Sequence, residues 1–181
     1  MVKWVDAAGT PLIWQQTAKR LYQLHRGRDC EARLTWLSDH GSLARADCPE
    51  GSWTFKRMGF FNPYLTVRAQ GAESDSALMY VSLGETQLRF ADGRAYFWRR
   101  VPPREGEVGF VDASNRAAMI FTPSGRGDAL SAWVRPGPGP TPPDTAALLA
   151  LLGWYRLVLE QRDLGAPVRA QSVHQGEAAA L

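Results

Sequence analysis

From Arg20 to Arg135 the chain alternates short runs of apolar and aromatic residues with polar turns. The runs are Arg20–Arg26, Glu31–Leu37, Ser42–Cys48, Ser52–Met58, Tyr64–Ala69, Ala77–Leu83, Gln87–Phe90, Ala95–Arg99, Glu107–Asp112, Arg116–Thr122 and Ala129–Arg135. Their lengths suit strands, and in Trp53-Thr54-Phe55-Lys56 the side chains alternate between two faces, as a half-buried strand requires. The breaks between runs carry turn chemistry. Ser38-Asp39-His40-Gly41, Pro49-Glu50-Gly51 and Ala113-Ser114-Asn115 are turns, and Ala91-Asp92-Gly93-Arg94 is a strong hairpin signal because Asp-Gly supplies positive φ. In Tyr96-Phe97-Trp98 both faces are apolar, so the sheet is covered on both sides there. Evenly spaced short strands of this kind predict a sandwich or barrel built as a meander.

Pro136 to Pro143 can form neither strand nor helix and reads as a stiff connector. It leads to a helix predicted over about residues 142–161. Thr141 suits the cap with Pro142 at the first helical position, or Asp144 starts the helix slightly later. Leu148, Leu149, Leu151, Leu152, Trp154, Tyr155, Leu157, Val158 and Leu159 cover every side of its wheel. A helix apolar all round is buried all round. In a chain of strands the place for it is inside the sheet. Residues 1–165 are thus expected to form one mostly β domain, and residues 166–181 a flexible tail.

Composition narrows the setting. Of 181 residues, 45% are hydrophobic and 22% charged, ordinary for a folded domain. The net charge is +3, and apart from Lys3, Lys19 and Lys56 every one of the 21 basic residues is arginine. They are spread along the chain beside 18 acids, not gathered on one face as a nucleic-acid binder gathers them, so no specific nucleic-acid partner is expected. Met1 to Thr10 lacks the apolar core of a signal peptide. The longest apolar run, Ala146 to Tyr155, falls well short of the roughly twenty residues a membrane-spanning helix needs. Two cysteines suit a reducing compartment, and a cytoplasmic location is expected.

The order of motifs carries a family likeness. Trp53-Thr-Phe-Lys-Arg-Met-Gly-Phe60, Tyr64-Leu-Thr-Val-Arg68, Ala91-Asp-Gly-Arg-Ala-Tyr-Phe-Trp98 and the closing Leu148–Leu159 segment with Gly153-Trp154-Tyr155 resemble the Tubby C-terminal-like superfamily. Its members include the LURP-one-related proteins of plants and the phospholipid scramblases. The resemblance spans roughly residues 20–163 and implies a closed antiparallel barrel of about a dozen strands around a central helix. Tubby proteins bind phosphoinositides through surface basic residues, and scramblases add a calcium-binding segment and a membrane tail. This chain shows no membrane tail and no acidic calcium loop, and its residues do not match the Tubby lipid-binding motif. The fold carries over; the function does not.

Candidate chemistry is sparse. His25, His40 and His174 lack metal-ligand spacing, so no metal site is expected. Neither glycine-rich phosphate-binding pattern is present, and no cofactor is expected. No Gly-x-Ser-x-Gly nucleophile elbow occurs, so no catalytic residue is assigned. Arg126-Gly127-Asp128 is read as a turn. If the hairpin turns about Asp39, Cys30 and Cys48 lie opposite one another, with Cβ atoms about 4.5–5.5 Å apart. A bridge is then open geometrically, while a reducing cytosol favours two buried free thiols.

The basic pairs Lys56-Arg57 and Arg99-Arg100 carry the partner signal. Neighbours in a strand point to opposite faces, so one of each pair faces solvent. Arginines at a rim beside Phe60 or Phe61 would suit an anionic lipid headgroup or another phosphate ligand with an apolar foothold. The plainer reading makes the pairs solubilising charge, and Phe60 and Phe61 core or loop packing. Three functions follow. The first is a non-enzymatic binding or scaffold module for an anionic ligand. The second is a protein-interaction module using a strand edge or the Pro-rich 102–104 loop. The third is a hydrolase whose residues converge only in three dimensions.

Overall fold

A computed structural model describes residues 11–82 and 85–165. The predicted tail 166–181, His174, Leu83 and the N-terminal stretch before Pro11 lie outside these residues. Twelve strands form one closed antiparallel barrel. They are β1 (Leu12–Ala18), β2 (Leu21–Arg26), β3 (Asp29–Trp36), β4 (Ala44–Cys48), β5 (Gly51–Met58), β6 (Tyr64–Ala69), β7 (Ala77–Val81), β8 (Thr86–Phe90), β9 (Ala95–Arg100), β10 (Val108–Val111), β11 (Ala117–Ser124) and β12 (Ser131–Pro136). Each strand pairs with the next in sequence, and β1 closes the ring against β12, with Leu12 opposite Val134 and Trp14 opposite Ala132.

β1 is the strand that the hydrophobic pattern left unread. Only Leu12 and Trp14 of its residues face the core, and the rest of Leu-Ile-Trp-Gln-Gln-Thr-Ala is half-buried or exposed. Two inward residues are too short a pattern to declare a strand. What fixes β1 is pairing with both ends of the meander, because an unclosed sheet would expose two rows of unpaired backbone groups.

The helix α1 (Pro143–Gly165) runs through the barrel. Every residue over 145–155 is buried, as a wheel that is apolar all round demands. It begins one residue later than the Thr141 cap would place it. The Pro142 carbonyl accepts the first helical bond from the Ala146 amide (2.8 Å), Pro143 takes the first helical position, and the Thr141 hydroxyl donates to the Gly139 carbonyl instead. Inward side chains of the wall alternate with outward ones, as Ala32, Leu34 and Trp36 do in β3, and converge on the helix.

Two glycines let this packing happen. A Cβ at Gly153 would stand 2.3 Å from the Phe121 ring and 3.1 Å from Trp98, so the helix can approach the wall only without one. A Cβ at Gly137 would stand 2.0 Å from the Ala117 carbonyl oxygen. The Pro-Gly connector is therefore strapped to β11, with the Gly137 and Gly139 amides donating to the Ala118 and Ala117 carbonyls.

The β3–β4 register corrects the cysteine geometry. Leu34 pairs with Ala46 and Trp36 with Ala44, so the hairpin is centred on residue 40 and not on Asp39. A one-residue shift of the centre moves every cross-strand partner by two. Cys30 instead sits opposite His25 on β2, and Cys48 opposite Gly51 on β5. Both thiols are free, and Cys30 is exposed, not buried; Cys48 is half-buried.

Candidate functional site

In a closed meander all odd-numbered strands run toward one end of the barrel. Lys56-Arg57 lies next to the last residue of β5, Met58, and Arg99-Arg100 closes β9, so the two basic pairs share that end, although β6, β7 and β8 stand between them. α1 follows β12, which runs the opposite way, so its C-terminus emerges here too. Three contacts fix the exit. The Tyr155 hydroxyl donates to the Ser42 carbonyl (2.7 Å), Arg57 pairs with Asp163 (2.5 Å), and the Arg162 guanidinium lies 4.6 Å over the Trp36 ring while donating to the Ser38 carbonyl. Arg162 also opposes the negative end of the helix dipole.

The structure overturns the reading of Phe60 and Phe61 as packing residues. They are 91% and 89% exposed, and they touch each other edge to face with centroids 5.2 Å apart. The cause lies in the backbone of the 59–63 loop. Gly59 has φ +76°, and a Cβ there would meet the Asn62 carbonyl oxygen at 2.5 Å, so the loop folds back on itself tightly and turns both rings outward. Leu37, Leu43 and Leu164 are exposed at the same end, on the β3–β4 loop and the last turn of α1.

Cations surround these apolar groups. The Lys56 side chain is exposed and has no ion pair among the described residues, which leaves its ammonium available. Arg57 is partly committed, since it holds Asp163 and its backbone bonds to the Ser42 hydroxyl. Lys19 and Arg20, in the β1–β2 turn, share Asp39 at 2.9 and 3.6 Å. The hydrogen bond from Lys19 holds the Asp39 carboxyl below the usual carboxylate range. Beside the emerging helix these groups border a cavity of about 260 Å³ with Arg162 and Tyr22.

Arg99 and Arg100 stand further round the wall, on β9, and line an outer cleft. Arg99 donates to the Asn115 side chain (2.9 Å), stacks on Phe97 (5.1 Å) and lies 3.5 Å from Glu85. The end therefore brings together the sequence-predicted basic pairs only in the sense of a shared rim. Lys19, Arg20 and Arg162 were not among the predicted site residues, because membership depends on which loops meet at one end. Strand parity is the sequence signal that could have placed them. His40 is exposed in its turn, and among the described residues no group of three His, Cys, Asp or Glu side chains could hold a metal ion. Among the same residues no helix is long and apolar enough to cross a membrane.

Compared with protein-family models, curated proteins and solved structures, the chain matches none.

Proposed function

We propose that this barrel is a non-enzymatic module that docks reversibly on an anionic lipid surface through the end where α1 emerges. The observation that carries the reading is the Phe60-Phe61 pair, about nine-tenths exposed on a loop tip whose flanking strand carries Lys56-Arg57 just before its last residue, Met58. Burying the two rings in the headgroup–acyl boundary would contribute roughly 3–6 kcal/mol. Each nearby cation adds about 1 kcal/mol at an anionic surface. The sum is that of a reversible, salt-sensitive attachment, not of an integral anchor. It accords with the expected cytoplasmic placement, since anionic lipid is concentrated in the leaflet facing that compartment. The reading rests on the residues of this chain; kinship with Tubby-like and LURP-one-related barrels is supported by the architecture alone and remains part of the proposal.

The test is co-sedimentation with phosphatidylcholine vesicles and with vesicles carrying phosphatidylserine, at low and at physiological salt. Binding to the anionic vesicles only, weakened by salt and abolished in a Phe60→Ser/Phe61→Ser double variant, is expected. Both positions are exposed, so the variant should melt at the wild-type temperature. Absence of binding in every condition would overturn the lipid reading and assign the exposed pair to a protein partner.

A further inference from the structure

The outer face of β9–β11 bears an apolar cluster of its own, separate from the barrel core. Val101, Val111, Ala117 and Ile120 are buried there with Phe97 packed against them. Two segments frame it. One is the β9–β10 loop, which carries Pro102 and Pro103. The other is the Pro-Gly connector, tied to β11 through Gly137 and Gly139. The loop is pinned from beneath by Glu107, whose side chain is 1% exposed and accepts hydrogen bonds from Arg135 (3.0 and 3.2 Å) and from the Thr122 hydroxyl (3.3 Å).

Between loop and connector lies a cleft of about 670 Å³. That is within the range of small-molecule sites, roughly 300–1,000 Å³. Its floor is the apolar cluster, and the charged side chains lining it are Arg99, Arg100, Arg116 and Arg135, with no carboxylate among them. Three of these already have side-chain partners. Arg116 is fixed by Asp112 (2.8 Å), Arg135 by Glu107, and Arg99 by Asn115 and Phe97. Arg100 has neither ion pair nor side-chain hydrogen bond among the described residues, so its full fork of donors is free.

We propose that this cleft binds a small amphipathic carboxylate, an acyl chain lying between the exposed Pro102, Pro103 and Pro138 above the Val111–Ile120 floor, with its carboxylate on the Arg100 guanidinium. The chemistry selects that class. One uncommitted planar fork matches one carboxylate bidentately. The held arginines are already ordered, their charge balanced by their own partners, so Arg100 carries the uncompensated charge of the cleft. Exposed proline walls offer an apolar body a partner that a bare ion cannot use. The proline-bearing walls are stiff, which keeps the cleft formed when empty. The site is independent of the Phe60-Phe61 tip and needs no lipid surface.

The test is titration of the full chain with sodium decanoate below its micellar concentration, followed by amide chemical shifts. Decyltrimethylammonium and inorganic phosphate serve as comparators. Saturable decanoate binding is expected, with shifts confined to β9–β11 and the connector and at most weak responses to either comparator. Arg100→Gln should weaken it about tenfold or more, while Arg100→Lys retains part of the affinity. Arg100 is exposed, so neither variant should change the melting temperature. Phe60→Ser/Phe61→Ser should bind decanoate like wild type, which separates this site from the proposed lipid-docking tip. Equal binding of the cationic amphiphile, phosphate binding as tight as decanoate, shifts centred elsewhere, or an Arg100→Gln variant with unchanged affinity would each overturn the proposal.

Discussion

Trp14 of β1 and Trp154 of α1 lie face to face, with ring centroids 5.6 Å apart and planes within 1° of parallel. Tyr22 meets Trp154 edge on at 5.7 Å, so the strand that closes the barrel and its neighbour grip the central helix through one aromatic stack. Closure of the wall and seating of the helix are therefore energetically coupled, since neither Trp finds this partner until both are in place.

Trp14→Ala should lower stability by about 3–5 kcal/mol, from lost burial and the cavity left behind. That is a large part of the 5–15 kcal/mol typical of a domain. Trp14→Phe should recover much of it. Urea unfolding curves read both values, and a loss below about 1 kcal/mol for Trp14→Ala would mean that the seam strand does not hold the helix.

Gly153→Ala should destabilise, although in an exposed helix the same change gains about 1 kcal/mol. The new methyl would press on Phe121 and Trp98, which pack on each other at 5.5 Å and cannot recede together. A loss of about 1–3 kcal/mol is expected from overpacking, and thermal melts would detect it. A higher melting temperature would show that the wall yields.

Burial pushes the phenols of Tyr22, Tyr96 and Tyr155 above their ordinary value, Tyr155 the furthest. The unfolded chain ionises these groups near pH 10, whereas the folded chain keeps their protons to higher pH. Their contribution to stability is then complete below about pH 10 and is lost as pH rises through the folded-state values. Melting temperature should fall over that alkaline window, with phenolate absorbance at 295 nm rising alongside unfolding. Tyr155→Phe, which forgoes the bond to Ser42, should melt lower at neutral pH but lose less between pH 10 and 12. A fall of equal steepness in the variant would remove Tyr155 from the account.

The two thiols should react differently with a disulfide reagent at pH 8. Cys30 is exposed and should be labelled in the native protein. Cys48 is half-buried, and burial pushes its thiol up to about 12, so it carries little thiolate until the chain unfolds. One fast thiol and a second released by denaturant is the expected count. Two fast thiols would contradict the burial of Cys48, and none would indicate a bridge that the strand register forbids.

The sequence by itself determined eleven of the strands, the connector and the buried helix, because those features are local. Period-two alternation, Asp92-Gly93 with its positive φ, and a run such as Leu148–Tyr155 that no exposed surface can accept are properties of short segments. It also placed Lys56-Arg57 and Arg99-Arg100 at strand ends. Tertiary structure alone decided the rest. β1 exists as a strand because it seals the barrel, a fact about the two ends of the meander and not about its own pattern. Cys30 and Cys48 part company because the hairpin centre lies one residue further on, a two-residue change of register that local turn residues did not resolve. The outward turn of Phe60 and Phe61 follows from the fold-back at Gly59, and composition treats an exposed phenylalanine and a buried one alike. The arginine-rimmed cleft draws on Arg99, Arg116, Arg135 and Pro138, and it is the pairing of β9 through β12 and the folding of the connector back onto β11 that bring them side by side. Alternation encodes which face a side chain takes. Which segments meet is set by the free energy of closing the whole sheet.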